Sequence, residues 1–420
     1  MTAGTRPQSD ARPRVVIIGS GFGGFFTARQ LRMADLDVTV LAATDAFLYA
    51  PLLPDVAVGT VDARSVMVPL ASSLPGVRVV VGYADQVDLH HRRVHYIDRH
   101  GIRGELSYDR LLLAPGSVTR LLNIPGLAEH AIGLKTATEA LYLRDLVLQR
   151  LKEANLQDDP VRRRAMLTFT VVGAGYAGVE LTAQMARLTA HLLPLYPKLP
   201  SHDIHWLLVD VAEAVMPELG RRLGESALTL LRRRNVDVRL GVSVTAVTDT
   251  QVTLSDGTTL DCSVLIWCAR VTGNPLIADL GLPTVKGRLT VDEFLQVPGH
   301  PQVYPIGDAA TVADLTKPLD KDDLRPVCPP TAQHAMRQAT AVAGNIRAGL
   351  GRGAVSRTGT ATRPVRRPRR TGRRRHPARN APTWPVRQAP GPGLPPLYVA
   401  DDDTAYPGRG GLAVGRCPPQ

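Results

Sequence analysis

Two glycine clusters are the residues whose types and spacing most directly promise chemistry. Gly19-Ser20-Gly21-Phe22-Gly23-Gly24 follows the apolar run at residues 15–18, and Gly173-Ala174-Gly175-Tyr176-Ala177-Gly178 follows the one at residues 167–172. Each is followed by a helical pattern. A G-x-G-x-x-G turn between strand and helix lets backbone N–H groups and a helix N-terminus approach a pyrophosphate, whose negative charge the helix dipole favours. One such turn can also be a plain glycine turn that holds nothing. Two of them, about 150 residues apart in one chain, form a far more specific signal. The pair implies two nucleotides held facing each other, as hydride transfer requires.

An acid at the end of the next strand should complete each unit. In the second unit Asp210 closes a strand predicted over residues 204–209. A carboxylate there accepts hydrogen bonds from ribose hydroxyls and repels a 2′-phosphate, which favours NADH over NADPH. Asp210 lies 32 residues past Gly178, so the intervening His191 to Asp203 stretch is predicted to be an inserted loop. A solvated Asp at a strand end is the plainer alternative. The first unit lacks its acid. Its second strand is predicted over residues 37–41, and Ala42 stands where Asp or Glu belongs. Asp45 is the nearest substitute. Without one, one or two charge-assisted bonds worth about 1.5–3 kcal/mol each are lost.

These turns need strands and helices to hold them. Residues 14–350 alternate short β-rich runs with helical patterns, the signature of βαβ units and parallel sheets. Residues 236–260 read as several short strands with a turn at Ser255-Asp256-Gly257. The apolar stretch after Arg12 and Arg14 is broken by four glycines, so strand, turn and helix fit it better than a signal peptide. No run of about 18 apolar residues predicts a transmembrane helix. The chain has 420 residues, room for two or three domains. Its four cysteines form no C-x-x-C pair and no zinc spacing, so neither a metal site nor dithiol chemistry is expected. Scattered thiols suit a reducing cytoplasm.

The net charge of +12 resembles a nucleic-acid signal, but it is unevenly placed. Residues 354–420 carry 13 Arg, no Lys or Glu, and three Asp, so ten of the twelve net charges lie there. That segment is Pro- and Gly-rich, without apolar periodicity, and reads as a disordered basic tail. Because the shift is abrupt and its basic charge is Arg alone, the tail is expected to be a frameshifted reading. A genuine basic arm for anionic lipid or nucleic acid is the competing explanation.

The two glycine units, followed by Tyr304-Pro305-Ile306-Gly307-Asp308, resemble the two-dinucleotide-binding flavoproteins. The resemblance implies that Asp308 bonds the flavin ribityl chain. It also implies that Leu113-Ala114-Pro115-Gly116-Ser117 is the A-T-G turn returning from the nucleotide domain, with Pro115 in place of threonine. Ala332-Gln333-His334-Ala335-Met336-Arg337-Gln338 is similar to the A-Q-x-A-x-x-Q helix of the type II NADH:quinone dehydrogenases, in which the first glutamine lies at the quinone. Glu180 matches the family glutamate beside the nicotinamide and quinone sites. Gln333 and Arg337 share a helix face. Two further departures stand out. Arg270 replaces glycine in a W-x-A-G-V turn, a strain of about 1 kcal/mol if that position needs positive φ. The amphipathic helices by which the family attaches to membranes have no counterpart past Gly353.

The expected fold is α/β, with two Rossmann-like dinucleotide-binding domains, the NADH domain inserted into the FAD domain. FAD uses residues 14–125 and 296–350, the latter including the quinone-side helix. NADH uses 126–295 with a helical connector, and 351–420 is the tail. The expected enzyme is a non-proton-pumping, FAD-dependent NADH:quinone oxidoreductase of a respiratory chain. Its cofactors are FAD and NADH. FAD rests on Gly19, Gly21, Gly24, Gly116, Gly307 and Asp308, and NADH on Gly173, Gly175, Gly178 and Asp210, with Glu180 and Gln333 catalytic. The expected location is cytoplasmic, at the inner face of the cell membrane, with a homodimer among the assemblies the resemblance allows and no specific nucleic acid. The alternatives are a soluble NADH-dependent reductase of the same fold with another acceptor, and a non-catalytic protein binding through its tail. A sulfide:quinone enzyme would need a cysteine pair at the flavin.

Overall fold

The protein is described from a computed structural model that covers residues 12–119, 122–269, 271–319 and 325–353. Arg270, the polar residues 1–11 and the tail past Gly353 lie outside the described residues.

In chain order the elements that build the site are β1 (Arg14–Ile18), α1 (Phe22–Leu31), β2 (Asp37–Ala42), α2 (Leu53–Ala57), β3 (Arg78–Asp88), β4 (Arg93–Asp98), β5 (Arg103–Ser107), β6 (Arg110–Leu113) and β7 (Ser117–Thr119). Then come β8 (Ala131–Ile132), α3 (Ala137–Leu156), β9 (Thr168–Val172), α4 (Tyr176–Leu192), β10 (His205–Asp210), α5 (Arg221–Arg233), β11 (Val236–Leu240) and β12 (Val264–Trp267). β13 (Val271–Gly273), β14 (Val303–Pro305) and α6 (Ala332–Gly349) complete the set.

The first sheet runs β14-β6-β1-β2-β3-β4-β5. Its first five strands are parallel, and β3, β4 and β5 pair antiparallel. β1 explains the layering. Its side chains alternate between two faces, and both faces are covered, so the run is apolar throughout. Val15 and Ile17 pack with Phe25, Leu31, Val342 and Ile346 of α1 and α6. Val16 and Ile18 pack with Leu276, Ile277, Leu289 and Val303 on the other side.

The second sheet, β8-β12-β9-β10-β11, is parallel throughout. One face packs Leu207, Val209, Leu265 and Trp267 against Val244, Val252 and Leu254 of a three-stranded antiparallel sheet at residues 244–261. The chain leaves the first unit through β7 and returns through β13. These two strands pair antiparallel, Thr119 opposite Val271 and Ser117 opposite Gly273. Because β14 comes from the far end of the chain and joins the first sheet, the second unit is inserted into the first.

The stretch after α4 is more ordered than a plain insertion. α4 runs to Leu192, and 3-10 turns follow at Leu193–Leu195 and Ser201–Asp203. Asp203, 1% exposed, pairs with Arg163 at 2.8 Å and Arg164 at 3.3 Å and pins the loop.

Candidate functional site

In an open α/β sheet, ligands bind beyond the carboxyl ends of the strands, where strand order reverses. Here both reversals carry a glycine turn. Gly19 ends β1 with φ +99°, and its N–H donates to Leu41 O at 2.8 Å. A Cβ at Gly19 would stand 2.1 Å from Ala114 O, and one at Gly24 would stand 1.8 Å from Gly19 O. The first glycine therefore lets two strand ends close up, and the last lets α1 seat on the turn. The second turn repeats this. Gly173 has φ +113°, and its N–H donates to Val209 O at 2.8 Å. A Cβ there would meet Ala269 N at 2.7 Å, and one at Gly178 would meet Gly173 O at 1.9 Å. At Gly21 and Gly175, the N-caps of α1 and α4, an added Cβ meets nothing within 4 Å, and neither cap makes a side-chain hydrogen bond. The first N–H groups of both helices thus face open space.

The matched bonds align Ala42 with Asp210, each one residue past the carbonyl that receives the glycine N–H. Asp210 accepts from Ala174 N–H at 2.5 Å and from Ala212 N–H at 2.8 Å. Ala42 is 2% exposed and packs in the apolar core with Phe25 and Phe47. Asp45 is exposed, its backbone carbonyl held by Leu70 N–H at 2.8 Å.

A cavity of about 530 Å³ joins the two turns. Gly21, Gly116, Gly307 and Asp308 line one side, and Tyr176, Ala177, Trp267 and Cys268 the other. Asp308 accepts from Ser117 Oγ at 2.6 Å. Gly307, at φ +65°, gives its N–H to Oε1 of Gln338, a buried side chain, at 2.7 Å. The N-terminus of α6 also reaches the cavity through Thr331, Ala332 and Ala335, and Thr331 caps it by accepting from His334 N–H. An 18-residue helix aimed this way lends positive potential to whatever lies there. Gln333 is half-buried in the first turn of α6, and Arg337 is exposed one turn on. Glu180 is half-buried one turn along α4 from Tyr176 and Ala177. Burial, and then the charge of Asp55, pushes its carboxyl up to about 7.

Residues 13–339 match the pyridine nucleotide-disulphide oxidoreductase family. The chain is 35% identical over 356 residues to the type II NADH:quinone oxidoreductase Ndh of Mycobacterium tuberculosis, covering 82% of this chain and 74% of that one. It belongs to that family, among the type II NADH:quinone oxidoreductases. It is also 30% identical to the demethylphylloquinone reductase NdbB of a Synechocystis strain, over 82% of this chain and 81% of that one. A solved structure of NDH2 from Plasmodium falciparum in complex with NADH has the same fold, with a TM-score of 0.73 at 21% identity over 80% of this chain and 83% of that one.

The family binds FAD, and the residues present fit it. Two glycine turns with open caps and the Asp308 carboxylate meet the cavity. The disulphide of the family's general name has no counterpart among the described residues, where Cys262, Cys268 and Cys328 are free. Burial pushes the Cys268 thiol up to about 12, which keeps it protonated and unreactive.

The structure thus brings Gly21, Gly116, Gly307 and Asp308 together on the cavity wall with the second turn opposite. It places Glu180 and Gln333 one step behind the wall and Asp210 at the outer end of the second turn. Sequence reading missed Gln338, Trp267 and Asp55. Gln338 had a signal, as the last residue of the A-Q-x-A-x-x-Q pattern. Trp267 also had one, as the first residue of the W-x-A-G-V turn, whereas Asp55 had none.

Proposed function

We propose that the chain is an FAD-dependent NADH:quinone oxidoreductase. The observation that carries the reading is the pair of glycine turns meeting one cavity with Asp308 on its wall. On this reading Gly19, Gly21, Gly24, Gly116, Gly307 and Asp308 hold FAD, and Gly173, Gly175, Gly178 and Asp210 hold NADH. Residues 14–125 with 296–350 form the FAD part and 126–295 the NADH part, although Leu276, Ile277 and Leu289 within that range pack on the first sheet.

Bound FAD supplies the redox chemistry, accepting a hydride from NADH and passing two electrons to a quinone. The chain supplies placement and charge. Asp308, fixed by Ser117, would accept a hydrogen bond from a hydroxyl of the cofactor chain. The α6 N-terminus favours negative charge at its end of the cavity. Overall, NADH, a quinone and one proton give NAD⁺ and a quinol. That proton must come from outside the NADH, and Glu180 is a group that holds one near neutral pH. Gln333 donates a hydrogen bond at the quinone side. The M. tuberculosis and Synechocystis relatives, named for quinone and demethylphylloquinone reduction, support the choice of acceptor. Contact with the inner face of the membrane and a homodimer belong to the same reading. Among the described residues no helix is long and apolar enough to cross a membrane.

The test is anaerobic stopped flow. Purified protein should be yellow, bleach with NADH, and recover its colour faster with a water-soluble quinone than with buffer. A colourless protein, or one that NADH does not bleach, overturns the reading. Bleaching with no quinone-dependent recovery directs the search to another acceptor.

A further inference from the structure

Behind the cavity wall, two short segments meet. Ala50 and Pro51 line the cavity, and α2 follows them directly. Tyr176 and Ala177 line it from the other side, and α4 continues from them. α2 and α4 pack together, which places Asp55 of α2 against the α4 face that carries Glu180 and Gln184. Glu180 and Gln184 are four residues apart and share that face. Gln184 Nε2 donates to Asp55 Oδ1 at 3.3 Å, and the Thr60 hydroxyl is shared between the Asp55 backbone carbonyl at 3.1 Å and that same oxygen at 3.3 Å. All three of Asp55, Glu180 and Gln184 are half-buried.

We propose that Asp55 is a positioning residue that keeps a proton on Glu180, the two carboxyl groups being tied to one helix face through Gln184. The inference rests on the reading that Glu180 serves the quinone side. Two negative charges on packed faces in a poorly solvated place disfavour the doubly ionised state. Burial already disfavours the ionised form of Glu180 and the Asp55 charge adds to that, which makes Glu180 the proton holder. The packed elements also carry charged and titratable groups, among them Arg144 and Asp145 of α3, Arg187 of α4, Asp210 of β10, and Glu225 and Arg232 of α5, with Glu218 before α5, Arg234 after it, and Tyr176. Arg144 lies against Gly59, Arg234 is bonded to Ala183 O, and Glu218 acts on the Tyr176 phenol. The charge that acts on Glu180 is that of Asp55, after burial itself.

The sign follows. A carboxyl raised to about 7 is protonated below that pH and empties above it, so a step that consumes its proton slows as pH rises through about 7. Asp55→Asn keeps the shape and an acceptor for Gln184 but removes the charge. Glu180 then loses its proton at lower pH.

The experiment follows the quinone-dependent recovery of the NADH-reduced holoenzyme against pH. Alongside it, difference infrared spectroscopy titrates the protonated-carboxyl band, which needs no turnover. Glu180→Gln should remove both the falling limb and the band. Asp55→Asn should move both by about one pH unit to lower pH, and Asp55→Glu should restore them toward the wild-type position. If the limb and band stay in place in Asp55→Asn, the proposal is overturned. If wild-type enzyme shows the band but no quinone-dependent recovery, the acceptor reading has failed while the carboxyl pairing stands.

Discussion

In the first unit Gly19 donates to Leu41 O and in the second Gly173 donates to Val209 O, both at 2.8 Å. The two closing glycines, Gly24 and Gly178, each approach the first glycine's carbonyl so closely that a Cβ would stand within 1.9 Å of it. One backbone device is thus built twice, and it has no side chains to vary. The difference comes at the next strand end. Asp210 reaches back to Ala174 N–H, whereas Ala42 is sealed into an apolar cluster. On the proposed reading the first unit would compensate through Asp308, which is bonded to Ser117, and Gly307, which is bonded to Gln338, all from distant parts of the chain. On the proposed reading phosphate binding would be a property of the turn, which the two units share, while the hold on the rest of each nucleotide would differ between them.

The largest effects should fall on the turns and separate the two units. Gly19→Ala should lower FAD affinity more than about 100-fold, because the new Cβ meets Ala114 O at a positive φ. Gly173→Ala should leave a yellow protein that NADH bleaches poorly. Flavin absorbance of the purified variants and NADH titration decide this. If Gly173→Ala also comes out colourless, the units are not independent and the comparison breaks.

Asp210 comes next. Asp210→Ala should lower the NADH over NADPH preference in kcat/KM by about 10–100-fold, the size of one or two charge-assisted hydrogen bonds. Asp210→Asn separates the charge from the hydrogen bond, since an amide oxygen still accepts from Ala174 N–H but does not repel a 2′-phosphate. An unchanged ratio in both variants would mean that the carboxylate serves the turn alone.

Gln338 tests what the first unit uses instead. Gln338→Leu leaves the Gly307 N–H without its 2.7 Å partner and should cost about 1–3 kcal/mol of stability. FAD should bind more weakly and NADH discrimination should be unchanged. Thermal denaturation with and without added FAD measures both. A variant as stable as wild type would show that water replaces the amide.

What the sequence made legible follows the same division. The glycine positions could be read because the requirement is on the backbone, and spacing records it. The alignment of Ala42 with the acid position could also be read, since strand length and turn spacing place it. Strand ends were good to about a residue, as with the predicted start at 204 and the observed β10 at His205. Contacts between distant residues could not be read. Ser117 meets Asp308 across 191 positions and Gln184 meets Asp55 across 129, and no local pattern encodes either. The residues before Asp210 read as an inserted loop because the acid lies 32 residues past Gly178, yet Asp203 within them is buried against two arginines.

The smallest effect should come from restoring the missing acid. By the alignment with Asp210, the carboxylate introduced by Ala42→Asp would stand one residue past Leu41 O and within reach of Ser20 N–H and the ribose. That alone would recover about 1.5–3 kcal/mol per charge-assisted bond. Two features reduce the gain. Ala42 is 2% exposed among Phe25, Phe47 and their neighbours, so the new side chain must displace apolar contacts before it reaches the ribose. Asp45, exposed in the following turn, already offers a carboxylate near this end of the site. The expected net is about a tenfold tighter FAD dissociation constant, equivalent to about 1.4 kcal/mol. Flavin fluorescence quenching on reconstitution of the apoprotein measures it, with Asp45→Ala as the second arm. If Asp45→Ala weakens FAD while Ala42→Asp gains nothing, the acid of the first unit has moved three residues along the chain and the strand-end comparison must be redrawn around Asp45. If neither substitution changes affinity, the first unit holds its ribose without a carboxylate, and Asp308 with the glycine turn carries the cofactor alone.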